Sequence, residues 1–137
     1  MINPIVHFEI PADDIDRAIE FYTKTFGWQI NKFDMPSEAS TEGNPYYVVI
    51  TTEVDDKKMP TKPGTINGGL MKRVNPGHVF TNYIQVDSIE QMLQDISING
   101  GTIVMPKTEI APAMGWIAMF KDTEDNLMGL YELTNGM

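Results

Sequence analysis

The run Gly115-Trp116-Ile117-Ala118-Met119-Phe120 is followed by Lys121-Asp122-Thr123-Glu124-Asp125-Asn126 and then by Leu127-Met128-Gly129-Leu130-Tyr131-Glu132-Leu133. Two apolar runs of strand length flank six residues dominated by Asp, Thr and Asn. Such side chains hydrogen-bond their own backbone and reverse the chain, so the stretch predicts a β-hairpin.

Upstream, the same grammar occurs twice. Val79 to Val86 reads as a strand, and Ser88-Ile89-Glu90-Gln91 has the capping-box form. Ile89, Met92, Leu93 and Ile96 make the apolar stripe of a helix that Asn99-Gly100-Gly101 ends. Met105 to Gly115 contains Pro106 and reads as a loop, a candidate lid. Near the N-terminus, Ile5 to Ile10 alternates: Val6, Phe8 and Ile10 take one face of a strand, His7 and Glu9 the other. Asp13 and Asp14 supply capping oxygens for a helix with Ile15, Ala18, Ile19, Tyr22 and Phe26 at helical spacing, stopped by Gly27. Strands follow at Trp28 to Phe33, Tyr46 to Thr51 and, less plainly because of its paired glycines, Ile66 to Met71. Ser37 to Asn44 and residues 52–65 read as loops. A shift of 74 residues lays Ala12-Asp13-Asp14-Ile15-Asp16 over Val86-Asp87-Ser88-Ile89-Glu90, and Gly27 over Gly101. The chain is an internal repeat of β-α-β-β-β.

With 137 residues and no linker-like tract, one domain is expected over 1–137, with module one about 1–74 and module two about 75–137. The apolar runs are far shorter than the ~20 residues of a membrane span, and no basic-then-apolar leader opens the chain. A soluble, unprocessed, cytoplasmic protein is expected, with no membrane partner. The chain has no cysteine, hence no disulfide, thiolate nucleophile or Cys-based zinc site. Its formal charge of −9 repels a phosphate backbone, which argues against nucleic acid. The acidity serves solubility, or it attracts a cationic ligand.

The hairpin form G-W-I-A-x-F-x-D-x-x-x-N-x-x-G-L-Y resembles the closing hairpin of the vicinal-oxygen-chelate superfamily, which includes glyoxalase I, extradiol dioxygenases and bleomycin-resistance proteins. Asp14-Ile15-Asp16-Arg17-Ala18-Ile19-Glu20-Phe21-Tyr22, with the following Phe26-Gly27, is similar to the first-helix signature of the glyoxalase branch. The resemblance implies an α+β fold of two βαβββ modules forming a paired, curled mixed sheet around a shared cleft. It also implies a small-molecule ligand as partner and a homodimer.

In metal-using relatives, the first and last strands of each module carry one ligand apiece, a His or Gln and a Glu. Carried over one position at a time, His7 fills the first-strand position of module one, and its 74-residue counterpart is Thr81. On the final strand, the position seven residues after Asp122 is Gly129, and Ile66 to Met71 contains no carboxylate. Glu132 lies three residues from Gly129, on the opposite face of its strand. No metal and no cofactor are expected. The resemblance then implies a cleft floor of His7, Glu9, Thr81, Tyr83, Gln85 and Tyr131, with Leu127 beside them, while Ile84 and Val86 pack under the helix. His7 and Glu9 are candidate catalytic residues, an acid–base pair, or two groups that satisfy each other structurally. His78 has no role assigned. A metal-free binding protein of the glyoxalase/bleomycin-resistance type is the leading reading. The alternative is a glyoxalase-like lyase or isomerase using His7 and Glu9 or a divalent metal site with other ligands, and a third is an interaction module with a vestigial cleft. The ligand itself is not legible.

Overall fold

The computed structural model describes residues 2–33 and 45–134, so the Ser37 to Asn44 loop lies outside the described residues. The element order is β1 (Ile5–Ala12), α1 (Ile15–Phe26), β2 (Gln29–Phe33), β3 (Tyr46–Ile50), β4 (Gly68–Lys72), β5 (Thr81–Gln85), α2 (Ile89–Ile98), β6 (Thr102–Glu109), β7 (Trp116–Lys121) and β8 (Leu127–Glu132). Strand, helix and three strands therefore recur, as the repeat predicts, and the fold class is α+β with two βαβββ modules. Two compact units divide it, one formed by His7–Phe80 and the other by Met1–Val6 with Thr81–Met137. We call them module one and module two.

In module one the strands lie in the order β2-β3-β4-β1. β1 runs parallel to β4 with Glu9 across from Gly69 and Ala12 across from Lys72, whereas β2 with β3 and β3 with β4 are antiparallel. α1 starts where Asp14 accepts from Arg17 N at 3.0 Å, and it stops at Gly27, whose φ of 73° suits a residue without Cβ. Of the two candidate capping residues only Asp14 caps; Asp13 instead accepts from Arg73 Nε at 3.0 Å. Phe8, Ile10, Ala12, Val49 and Leu70 are buried beneath the helix, with Ile15, Ala18, Tyr22, Trp28, Ile30, Tyr47 and Ile66 packed against them. Trp28 sits just before β2 rather than in it and stacks on Tyr22 with ring centroids 4.9 Å apart. Phe26, expected in the core stripe, is 59% exposed. No α1 residue is fully buried.

Module two repeats the plan in the order β5-β8-β7-β6, with β5 parallel to β8 and the other pairs antiparallel. Ser88 Oγ accepts from Gln91 N at 3.2 Å, as the capping-box spacing predicts. Val86, Ile89, Leu93, Ala118, Phe120 and Leu130 form the core, and Ile84 packs against it. The hairpin is present: Lys121 pairs with Leu127, and Asp122 closes the turn by accepting from Glu124 N at 2.8 Å and Asn126 N at 2.9 Å. Asp125 takes a left-handed φ of 67° there.

One expectation fails here. Met105 to Glu109 belongs to β6, because its register with β7 continues through two irregularities, and only Ile110 to Gly115 turns. That turn is closed by Ile110 N donating to Gly115 O at 3.0 Å and Met114 N to Ala111 O at 2.9 Å. Pro106 falls where the pairing is irregular, and such a site tolerates a residue without an N–H. The stretch is an edge strand with a short turn, too small for a lid.

Candidate functional site

Alternation along β1 sends Phe8 and Ile10 into the helix-side core and leaves His7 and Glu9 on the opposite face of module one's sheet. Gly69 is across from Glu9 and shares that face. In β3, Val49 and Tyr47 join the core, so Tyr46 and Val48 also lie on the His7 face. Tyr46 then reaches over Gly69: a Cβ at that glycine would land on the Tyr46 hydroxyl and ring. The hydroxyl donates to Glu9 Oε2 at 3.1 Å and lies 2.8 Å from His7 Nε2. His7 Nε2 and Glu9 Oε2 are 3.8 Å apart. The side chains of His7 and Glu9 keep 36% and 18% of their exposure.

A phenol has one proton. With that proton on Glu9, the 2.8 Å contact is satisfied when His7 carries hydrogen on Nε2 and donates to the tyrosine oxygen. The arrangement is a chain, imidazole to phenol to carboxylate, able to fix the imidazole tautomer and pass charge between its ends. His7 and Glu9 are therefore brought together, but through Tyr46, which sequence reasoning missed. The signal was available only as the Tyr46-Tyr47 pair opening β3. Nothing in alternation says that a tyrosine on a third strand will cross a glycine to join two residues of the first.

Module two places its candidates on the equivalent face. Tyr83 is across from Gly129 and Gln85 across from Tyr131, while Ile84 and Val86 turn to the core. Thr81 and Tyr83 are buried, at 3% and 5% exposure. A Cβ at Gly129 would land on the Tyr83 ring. Tyr131 donates to Met114 O at 3.3 Å, and burial raises its phenol pKa above the usual 10.0.

The metal positions implied by the family can be tested module by module. Module one offers the His7 imidazole and Gly69, module two the Thr81 hydroxyl and Gly129. Both glycines lack a donor, and in both cases an aromatic side chain takes the space a carboxylate would need. Among the described residues no three His, Asp or Glu side chains are grouped as a metal site. In neither module is a single imidazole or a single hydroxyl enough to hold a divalent ion. Among the described residues, the groups at these positions do not fit a metal.

Glu132 has a different task. Its Oε1 accepts from Ile89 N at 2.7 Å, at the start of α2, and its Oε2 is 3.2 Å from Lys107 Nζ, which also pairs with Glu90. The Lys107 ammonium rests 4.8 Å above the Trp116 ring. Partial desolvation lowers its pKa, but bonds to Glu90 and Glu132 outweigh that and hold it above the usual value. A depression of about 620 Å³ lies here, lined by Glu90, Leu93, Gln94, Pro106, Lys107 and Trp116, and it contains none of the candidate residues. His78, left without a role, holds a turn: its Nδ1 accepts from Val74 N at 3.2 Å and its carbonyl accepts from Arg73 at 2.6 Å.

Residues 4–44 match the family model of the bleomycin resistance protein-like N-terminal region. A glyoxylase-like domain-containing protein of Didymella fabae is 30% identical over 122 residues, which cover 86% of this chain and 84% of that protein. Among solved structures, a hypothetical protein of Bacillus halodurans C-125 superposes with a TM-score of 0.67 at 16% identity, covering 98% of this chain and 97% of its own. Methylmalonyl-CoA epimerase from Mycobacterium tuberculosis gives 0.63 at 17% identity, with 95% and 87% covered. At such identities the structural likeness concerns the fold.

Proposed function

This chain belongs to the vicinal-oxygen-chelate superfamily as a glyoxalase-like member, and from that premise we propose that it is a metal-free small-molecule binding protein of the glyoxalase/bleomycin-resistance type. The observation that carries the reading is the glycine at position 69 beneath the His7–Tyr46–Glu9 chain. Where a metal-using relative needs a carboxylate, this chain has a hydrogen-bonded polar surface that recognises an organic ligand directly. His7, Glu9 and Tyr46 supply donors and acceptors in module one. Thr81, Tyr83, Gln85 and Tyr131 are the candidate contact residues of module two. The reading includes a cytoplasmic homodimer; among the described residues no helix is long and apolar enough to cross a membrane, and Phe21 and Phe26 present exposed rings. Sedimentation that gives a monomer near 15.4 kDa at micromolar concentration removes the dimer.

The second reading, a lyase or isomerase, is favoured by the same chain of bonds. An imidazole whose Nε2 is held by Tyr46 has a fixed tautomer, and the Glu9 carboxylate lies 3.8 Å away as a second acid–base group. One experiment separates these readings from metal chemistry. Melting is followed with EDTA, zinc, nickel or manganese and with a library of small organic molecules. A ligand specific for the folded state at a hundredfold excess over Kd adds about 2.7 kcal/mol, a shift of several degrees in a domain of this size. We expect overlaid curves with all metals, and an organic ligand whose shift weakens in His7→Ala and Glu9→Ala. A metal-dependent rise that vanishes in His7→Ala overturns the proposal, and turnover of the bound compound that Glu9→Gln abolishes favours the enzyme.

A further inference from the structure

Among the described residues the dipeptide Asn-Gly occurs at Asn67-Gly68 and at Asn99-Gly100. It is chemically special, because a glycine offers its backbone nitrogen to the preceding side-chain amide with no Cβ in the way. The two copies sit in opposite settings. Gly68 is buried in β4 between two strands, across from Phe8 of β1 and Val49 of β3, and Asn67 Oδ1 accepts from Thr51 N at 2.8 Å. Asn99 and Gly100 are exposed where α2 ends. There Asn99 Nδ2 donates to Asp95 O at 2.9 Å, and the next two amides are held by Gly100 N to Ser97 O at 3.4 Å and Gly101 N to Ile96 O at 2.8 Å. Helix ends fray on their own, whereas a central strand opens only with the unit around it.

We propose that Asn99 is a self-modifying site: Gly100 N attacks the Asn99 side chain, and hydrolysis leaves aspartate or isoaspartate at the end of α2, while Asn67 stays intact. The step needs Asn99 to leave its ψ of 12°, which turns Gly100 N toward Cγ and breaks only the helix-end bonds just named. Hydroxide takes the Gly100 N–H proton, the N–Cγ bond forms, the Cγ–Nδ2 bond breaks, and Nδ2 departs as ammonia with a proton from water. Water then opens the five-membered imide at either carbonyl. One water is consumed and one ammonia released, with no change of oxidation state. The product matters to module two. Its carboxylate stands at the negative end of the α2 dipole, one turn from Asp95 and in a last turn with no basic residue, and it no longer donates to Asp95 O. A Cβ at Gly100 would lie 3.3 Å from the Thr123 side chain, so this end of the helix rests on the hairpin turn that closes the module.

The test is ageing of the full chain at about pH 8 and 37 °C, with conversion at each asparagine followed by peptide mapping and isoaspartate detected by enzymatic methylation. Asn99 should convert at least about a hundredfold faster than Asn67, a ratio set by fraying of a helix end against opening of a core strand. In denaturing urea the two should convert at comparable rates. Aged protein should melt a few degrees lower than fresh protein. Asn99→Gln, whose longer side chain would have to close a larger ring, should keep its midpoint through the same ageing. Equal conversion of Asn99 and Asn67 in the folded protein, an Asn99 that stays intact, or a difference that persists in urea would each overturn the proposal. Aged protein that melts like aged Asn99→Gln would overturn the effect on α2.

Discussion

Modules one and two hold a glycine at one equivalent position and use it differently. Glu9 faces Gly69 across β1 and β4, and Tyr83, 74 residues later, faces Gly129 across β5 and β8. In module two the ring over the glycine comes from the facing strand itself, and Tyr83 and Thr81 are buried. In module one the ring comes from Tyr46 on β3, which leaves the facing position to the Glu9 carboxylate and ties it to His7. A missing Cβ makes room for an aromatic side chain in both. Where that side chain originates decides whether the face becomes packing or chemistry.

Alanine at each glycine puts this contrast to the test. Gly129→Ala drives a methyl into a ring that has nowhere to go, and overpacking of a closed core costs roughly 2–3 kcal/mol. Gly69→Ala meets chiefly the hydroxyl end of Tyr46, which is less buried and can swing away, so about 1 kcal/mol is expected together with loss of the His7–Glu9 bridge. Urea unfolding of the two variants measures both. In a double-mutant cycle Tyr83→Ala should absorb most of the Gly129→Ala penalty. Equal costs at the two glycines would mean that the modules do not differ in closure.

Helix anchoring gives the second contrast. Lys72 is across from Ala12, and Glu132 is the next residue after Tyr131, the partner of Gln85, so the two occupy equivalent places on β4 and β8. Glu132 takes the first N–H of α2, where negative charge suits the helix dipole. Lys72 Nζ instead donates to Asp13 O at 2.8 Å, outside α1. Glu132→Ala should therefore cost roughly 1–2 kcal/mol in thermal or urea melts, since it orphans a part-buried amide and removes one carboxylate from Lys107. Lys72→Ala, an exposed contact, should cost about 0–0.5 kcal/mol.

Tyr46→Phe tests the polar chain with least disturbance to packing, because the ring stays over Gly69. A loss of about 1 kcal/mol is expected, together with weaker binding of any ligand found by the melting screen. Unchanged binding would leave Tyr46 as packing only.

The repeat made the element order legible, and the Asp–Asn turn and the Ser88 cap were readable because their signals are local. The edge strand at Met105 to Glu109 was not. Pro106 reads as a breaker, whereas the irregular pairing that tolerates it is set by β7, a distant partner. Phe26 has helical spacing for the core, but it is the last residue of α1, and its ring is left exposed beside Phe21, Tyr22 and Trp28. Of the site, alternation correctly put His7 beside Glu9. It had no means of finding Tyr46, since that contact depends on how strands of the same sheet overlap.

The smallest effects concern pH, and the modules again divide. The His78 pKa in module one is lowered from 6.5, first by desolvation, with Arg73 adding to it and Glu9 opposing. The folded state thus prefers the neutral ring, which accepts from Val74 N. Its contribution is complete above pH 6.5 and is lost as pH falls through the lower folded value. In module two Tyr131 is raised above 10.0 by burial, and Lys107 above 10.5 by its two carboxylates against its own desolvation. Their contributions are complete below those values and disappear as pH rises past them. Asp122, held below 3.8 chiefly by the Asn126 backbone and side-chain bonds, adds an acid loss in module two only at lower pH than His78. Each module contains one tryptophan, Trp28 and Trp116, so Trp116→Phe and Trp28→Phe report the modules separately by fluorescence. Lowering the pH from 7 to 5 should lower the denaturation midpoint seen by Trp28 more than that seen by Trp116. His78→Gln should remove the difference. Above pH 10 the order should reverse. A midpoint that falls equally for both probes between pH 7 and 5, or that still differs in His78→Gln, would take the acid sensitivity away from the Arg73–His78 turn.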